Sequence, residues 1–148
     1  MSVDLKLKKL TAAEISRETH GELQIYNGAD SEKQQSAIST DSRESGEGVI
    51  FCAIKGQNVD GNDFIPAAVE AGADCFICQY VPEEAKKSCK PFCAIIVEDT
   101  IKAMGDLAAY YRGFSSAKFV AVTGSVGKTT TKEFIYAVAS ASFKTHKT

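Results

Sequence analysis

The stretch GVIFCAIKGQNVDGNDFIPAAVEAGADCFICQYV, residues 48–81, decides how this chain folds. Its opening run, GVIFCAI, is apolar and β-branched, lies between a glycine and a polar segment, and reads as a buried strand. KGQNVDGNDF, dense in Gly, Asn and Asp, has the chemistry of a loop. DFIPAAVEAGA then reads as a helix closed by Gly72, and DCFICQYV as a second strand. Strand, helix and strand in succession is the unit from which parallel sheets are assembled.

The same alternation extends in both directions. Downstream, PEEAKKSC is a short helix with proline in its first turn, and FCAIIVED is a strand. DTIKAMGDLAAYYRGF follows as an amphipathic helix, with Ile101, Met104, Leu107, Ala108 and Tyr111 at three- and four-residue spacing. KFVAVTG reads as another strand and GKTTTKEFIYAVASASF as the last helix. Upstream, DLKLKKL is strand-like, and TAAEISRE is a helix whose Thr11 and Glu14 have the spacing of a capping box. ELQIYN and SAISTDS are short extended pieces around the polar turn NGADSEKQQ. RGFSSAK, residues 112–118, mixes Gly and Ser directly after a helix and reads as a linker. The expectation is an α/β fold with a largely parallel sheet: a small N-terminal α/β domain over 1–114, then a strand, glycine loop and helix over 115–148.

Composition narrows the function classes. Hydrophobic residues make up 44% and charged residues 24% of the 148 positions, enough apolar side chain for a core. The net charge is -2, so no global field favours nucleic acid. The N-terminus MSVDLKLKKL has no apolar core behind its lysines, and runs such as CAIIV are too short to span a bilayer. The expected compartment is therefore the cytoplasm. Five cysteines, an odd number, suit free thiols in a reducing compartment. CFIC followed by CKPFC also has the pair-then-pair look of a zinc site. Against that, positions three apart on a strand face opposite sides, and four ligands must converge.

Two constellations carry chemistry. FVAVTGSVGKTT places an apolar strand before a glycine-bracketed turn and a helix directly after it. Gly124 and Gly127 let the backbone turn its N–H groups toward an anion, with Ser125 and Val126 between them. A helix starting near Lys128 aims its dipole and unpaired N–H groups at the same place. Lys128 is suited to β- and γ-phosphates, the Thr129 hydroxyl to Mg²⁺, and Thr130 to a supporting contact near the phosphates. The common G-x-x-x-x-G-K-[ST] pattern would require glycine where Val122 stands. The competing reading is a plain strand–helix turn with a solvated lysine.

The second constellation is STDSR (39–43) with KGQNVDGNDFI (55–65), flanking GVIFCAI. Asp41, Ser42, Arg43, Lys55, Asn58 and Asp60 all fall at the ends of that strand. Arg43 and Lys55 suit a diphosphate, with Ser42 donating a hydrogen bond. Equally, Asp, Asn and Gly are what two surface turns require, and the residues alone leave both readings open.

Together these motifs resemble the Mur ligase family, ATP-dependent enzymes that build the peptide stem of bacterial peptidoglycan. STDSR…GVIFCAIKGQNVDGNDFIPAAVEAGA resembles its N-terminal UDP-sugar-binding domain, and AVTGSVGKTTTKE its phosphate loop, which normally lacks the glycine absent at Val122. The likeness covers most of residues 36–148. It implies a three-domain enzyme of which this chain holds the first domain and, over 115–148, the start of the central ATP-binding domain. On that basis Ser42, Arg43, Lys55 and Asp60 line the UDP side. Gly124, Ser125, Val126, Gly127, Lys128, Thr129 and Thr130 bind ATP phosphates, with Lys128 and Thr129 catalytic and Thr129 holding Mg²⁺.

TGSVGKTTTKE, the helix DTIKAMGDLAAYYR and the final THKT further resemble the branch that joins D-alanyl-D-alanine to UDP-N-acetylmuramoyl-tripeptide through an acyl phosphate. The implied intact enzyme is a monomer without membrane span or nucleic-acid partner, and the fragment alone is expected to be inactive. The alternatives are a family member adding the third amino acid of the peptide, or a non-catalytic module binding a UDP-sugar or nucleotide.

Overall fold

A computed structural model describes residues 2–147. The backbone divides into two compact units, residues 1–115 and 116–148, each described by itself. The division falls inside RGFSSAK.

The first unit is built on a six-stranded sheet in the order β1-β3-β4-β5-β6-β2. β3 (Ala37–Ser39), β4 (Val49–Cys52), β5 (Cys75–Cys78) and β6 (Phe92–Ile96) are mutually parallel. β1 (Ser2–Asp4) and β2 (Glu22–Tyr26) close the two edges antiparallel. The parallel sheet read from 48–81 is thus the centre of a mixed one. Helices α1 (Ala12–Thr19) and α4 (Thr100–Arg112) cover one face; α2 (Ile65–Glu70) and α3 (Glu83–Lys86) cover the other.

Strict alternation along the central strands explains the two cores. Ile50, Cys52, Cys75, Ile77, Cys93 and Ile95 face α1 and α4. Phe51, Phe76, Cys78, Phe92 and Ala94 face α2 and α3. Strands buried on both faces must read as continuous apolar runs, as GVIFCAI and DCFICQYV do. On the second face Phe76 meets Phe51 and Phe92 edge-on, at centroid distances of 6.2 and 5.5 Å. Cys75 and Cys78 lie in different layers, and Cys89 is exposed. Among the described residues no group of three or more His, Cys, Asp or Glu side chains is placed to hold a metal ion. No helix among the described residues is long and apolar enough to cross a membrane.

The Thr11–Glu14 capping box forms in full: the Glu14 N–H donates to Thr11 Oγ1 at 3.2 Å and the Thr11 N–H to Glu14 Oε2 at 3.1 Å. Three expectations need correction. DLKLKKL is a strand only at its start, Leu10 making an isolated bridge to Gln35. The buried face of α4 is Thr100, Ala103 and Leu107, while Ile101 is 63% exposed. The helix lies against both α1 and the sheet, where small Ala103 permits close approach. KFVAVTG forms no strand: a strand exists through its ladder, and residues 116–147 contain no other strand to pair with it. Phe119 and Val120 are accordingly exposed. What the second unit does form is α5 (Lys128–Ser140), without a single buried residue.

A candidate substrate edge and a phosphate-type loop

Because β3 to β6 run parallel, their carboxyl ends share one edge of the sheet, the position at which open α/β sheets bind ligands. The loop after β3 carries Asp41, Ser42 and Arg43; the loop after β4 carries Lys55 and Asp60. Both aspartates cap a 3-10 turn. Asp41 Oδ1 accepts the Arg43 N–H at 3.0 Å ahead of Ser42–Glu44, and Asp60 Oδ1 accepts the Asn62 N–H at 2.9 Å ahead of Gly61–Phe64. The turn chemistry expected of these loops is therefore present in detail.

Arg43 also grips Asp41 with its side chain, Nε to Oδ1 at 2.9 Å and Nη2 to Oδ2 at 2.7 Å. This fork, and then the Arg43 N–H, hold the Asp41 carboxyl well below the usual carboxylate range. The Arg43 side chain is 87% exposed, so a preset cation stands open to solvent at the sheet edge. Ser42 is half-buried beside it, its carbonyl accepting the Ser45 N–H at 3.3 Å. Beneath the turn, buried Ser39 Oγ accepts the Asp41 N–H at 3.0 Å.

In the second loop Lys55 and Asp60 form a bridge across a tight turn, Nζ standing 3.9 Å from Oδ2. Lys55 is mostly exposed and Asp60 largely covered, while Asn58 is exposed. The Asn62 N–H, before other contacts, lowers the Asp60 pKa. Asp60 thus acts as a brace for the loop, and Arg43 and Lys55 are the charges left facing out.

Sequence reading missed the residue that ties the loop after β4 to the loops beyond it. Asn62 is fully buried; its Nδ2 donates to Asp60 Oδ1 at 2.6 Å, and its Oδ1 accepts the Gln79 N–H at 3.0 Å. Gln79 Nε2 in turn donates to the Glu98 carbonyl at 2.8 Å. A hydrogen-bonded relay therefore runs along the edge from the loop after β4 to those after β5 and β6. The recoverable clue was spacing: Asp41-x-Arg43 and Asp60-x-Asn62 each pair a capping aspartate with the side chain two residues on.

In the second unit, Gly124 and Gly127 take φ of 147° and 82°, conformations that L side chains rarely adopt. Gly127 is the N-cap of α5 and contributes no side-chain cap, so the first turn presents backbone N–H groups at an open helix end. Residues 124–130 are all exposed. Lys128 Nζ folds back to donate to the Gly124 carbonyl at 2.5 Å, across the mouth of the loop. Thr129 and Thr130 occupy the first helical turn. The glycine conformations, the uncapped helix start and the adjacent ammonium fit a phosphate chain. The exposed Thr129 hydroxyl could serve as one oxygen ligand of a hydrated Mg²⁺, an ion that commonly takes its remaining ligands from phosphate and water.

The sequence profile of the Mur ligase family, described as its catalytic domain, matches residues 35–112, a stretch that ends before the glycine loop. The chain belongs to the Mur ligase family. It is 41% identical over 111 residues to the UDP-N-acetylmuramoyl-tripeptide–D-alanyl-D-alanine ligase of Synechocystis sp., covering 75% of this chain and 24% of that protein. It is 36% identical over 121 residues to the UDP-N-acetylmuramoyl-L-alanyl-D-glutamate–2,6-diaminopimelate ligase of Chlorobium phaeobacteroides, covering 80% and 23%. Among solved structures, MurF from Acinetobacter baumannii matches with a TM-score of 0.74 and 32% identity, over 91% of this chain and 28% of that one. MurF from Thermotoga maritima, solved in complex with ADP, matches with a TM-score of 0.60 and 35% identity, over 71% and 23%. The chain thus spans about a quarter of the length of the relatives it matches.

Proposed function

We propose that this chain is the N-terminal part of an ATP-dependent ligase of peptidoglycan precursor synthesis that adds D-alanyl-D-alanine to UDP-N-acetylmuramoyl-tripeptide in the cytoplasm. The observation that carries the reading is the pairing, in one chain, of a Mur ligase first unit with a glycine loop whose lysine opens a helix. In this reading residues 1–114 form the UDP-sugar-binding domain and residues 115–148 begin the ATP-binding domain. ATP supplies a phosphoryl group to the peptide carboxylate, and the amine of D-alanyl-D-alanine then displaces phosphate from the acyl phosphate.

The chain's own residues bind and neutralise. Gly124, Ser125, Val126 and Gly127 offer backbone N–H groups, Thr130 a hydroxyl, and Lys128 and Thr129 meet the charge that develops on the transferred group. Arg43 and Lys55 attract the diphosphate of the UDP-substrate, Ser42 donates to it, and Asp60 holds Lys55 and its loop in place. Binding of Mg²⁺ falls to Thr129 and the phosphates.

The test uses the full-length protein carrying this chain, assayed for ADP release dependent on both substrates. Lys128→Ala is expected to lower kcat by about a hundredfold or more while UDP-substrate binding persists. Undiminished turnover in that variant removes Lys128 from the reaction. The similarity to a diaminopimelate-adding ligase supports a second reading, in which the protein adds the third residue of the peptide. Turnover with L-lysine or diaminopimelate, and none with D-alanyl-D-alanine, would select it.

A further inference from the structure

The two outward cations of the substrate edge are braced differently. Arg43 is gripped by both carboxylate oxygens of Asp41, so its brace is local and complete. Lys55 has Asp60 Oδ2 as its partner, at 3.9 Å, and its side chain is 66% exposed. A long, flexible ammonium with so loose a partner holds no fixed place by itself. What guides it is the direction in which the Asp60 carboxylate is turned.

That direction is set by Asn62. Its backbone N–H and its side-chain Nδ2 both donate to Asp60 Oδ1, at 2.9 and 2.6 Å. Two donors from one residue fix that oxygen and leave Oδ2 as the one turned toward Lys55. Asn62 is held in its turn: it is fully buried, and its Oδ1 accepts the Gln79 N–H at 3.0 Å, directly after β5. The amide therefore refers the brace of an exposed lysine to the backbone of a central strand. The turn that carries Lys55 is closed on the same point, the Gly61 N–H donating to the Ile54 carbonyl at 2.9 Å and the Gly56 N–H to the Val59 carbonyl at 2.8 Å. Few side chains can replace the amide. A carboxylate would offer no donor to Asp60, a hydroxyl is too short to reach both partners, and an apolar group would bond neither.

We infer that Asn62, buried too deeply to touch a ligand, is a positioning residue for the UDP-substrate: through Asp60 it holds the Lys55 ammonium where the diphosphate is received. The inference rests on the reading of this edge as the UDP site. In that reading the amide acts on binding and not on phosphoryl transfer, which falls to the glycine loop.

The test is a double-mutant cycle read as UDP affinity. Amide chemical shifts of the ¹⁵N-labelled 148-residue chain are followed at residues 41–45 and 55–64, which separates this edge from the glycine loop. Asn62→Leu and Lys55→Met should each weaken UDP about fivefold. The double variant should lose no more than either alone, because a lysine already absent cannot be misplaced. If Asn62→Leu does not fold, Asn62→Ser takes its place, since it keeps the backbone N–H bond to Asp60 and removes the Nδ2 one. In the full-length protein the same Asn62 variant should raise KM for the UDP-substrate about fivefold and leave kcat unchanged. Unchanged UDP affinity in the Asn62 variant, or losses that multiply to about twenty-five-fold in the double variant, would confine Asn62 to folding and overturn the inference while the ligase reading stands. No saturable shift at this edge in the wild type would remove the UDP site from it, and the inference with that site.

Discussion

Gly61 has no room for a side chain. A Cβ there would stand 2.6 Å from both the N and the O of Ile54, backbone atoms that cannot swing aside. The Gly61 N–H donates to that same Ile54 carbonyl at 2.9 Å, so the close approach and the loop's closure are one feature. Gly61→Ala should cost about 1–3 kcal/mol, the usual penalty for overpacking, read as a lower urea midpoint. An unchanged midpoint would mean the loop has slack. Asp41 makes a prediction in pH. Its carboxyl is held low in the folded state, so it adds stability above its unfolded value of about 4 and loses it as pH falls toward the folded one. Asp41→Asn should therefore flatten the acid limb of the stability curve. A curve of unaltered slope would leave the Arg43 fork without energetic weight.

Elements were legible in proportion to how much their formation depends on local chemistry. The capping box of α1, Pro82 at the start of α3 and Asp99 ahead of α4 are local devices, and each helix begins where its cap stands. Sheet pairing is not local. KFVAVTG has a strand's composition and remains unpaired, and β2 joins the sheet antiparallel beside β6, a choice nothing in ELQIY announces. The sector of α4 that is buried was set by α1, not by its own periodicity. α5 is the informative extreme: thirteen residues, most of them β-branched, aromatic or hydroxyl-bearing and so modest helix formers, with Phe134 and Val138 at least 70% exposed. A helix of that length without packing is marginal in water. Hydrogen exchange should find α5 amides opening far more readily than those of β5 and β6; matched protection would show that α5 gains its stability from contacts outside its own turns.

For the molecule as a whole, the candidate site is legible where charge and glycine mark it and hidden where burial does. Arg43, Lys55 and Lys128 declare themselves by type. Asn62, fully buried, does not, because an asparagine between Asp60 and Asp63 in a single turn looks like one more loop residue. The cysteines follow the same divide. Cys52, Cys75, Cys78 and Cys93 are interior, and burial pushes the Cys52 and Cys78 thiols up to about 12. A thiol reagent at neutral pH should modify Cys89 alone in the native protein and reach the other four only on unfolding. Rapid native modification of more than one thiol would contradict this packing.

The relay from Asp60 through Asn62 and Gln79 to Glu98 also gives the sheet the character of a ruler. Loops anchored to successive parallel strands are pitched about 4.8 Å apart, and the relay stops that pitch from drifting. A compact guest lying on this edge meets one graduation of the scale. An elongated one, with distinct groups along its length, meets several at once. Shortening such a guest from either end should thus weaken its hold in discrete steps, each corresponding to one loop left untouched.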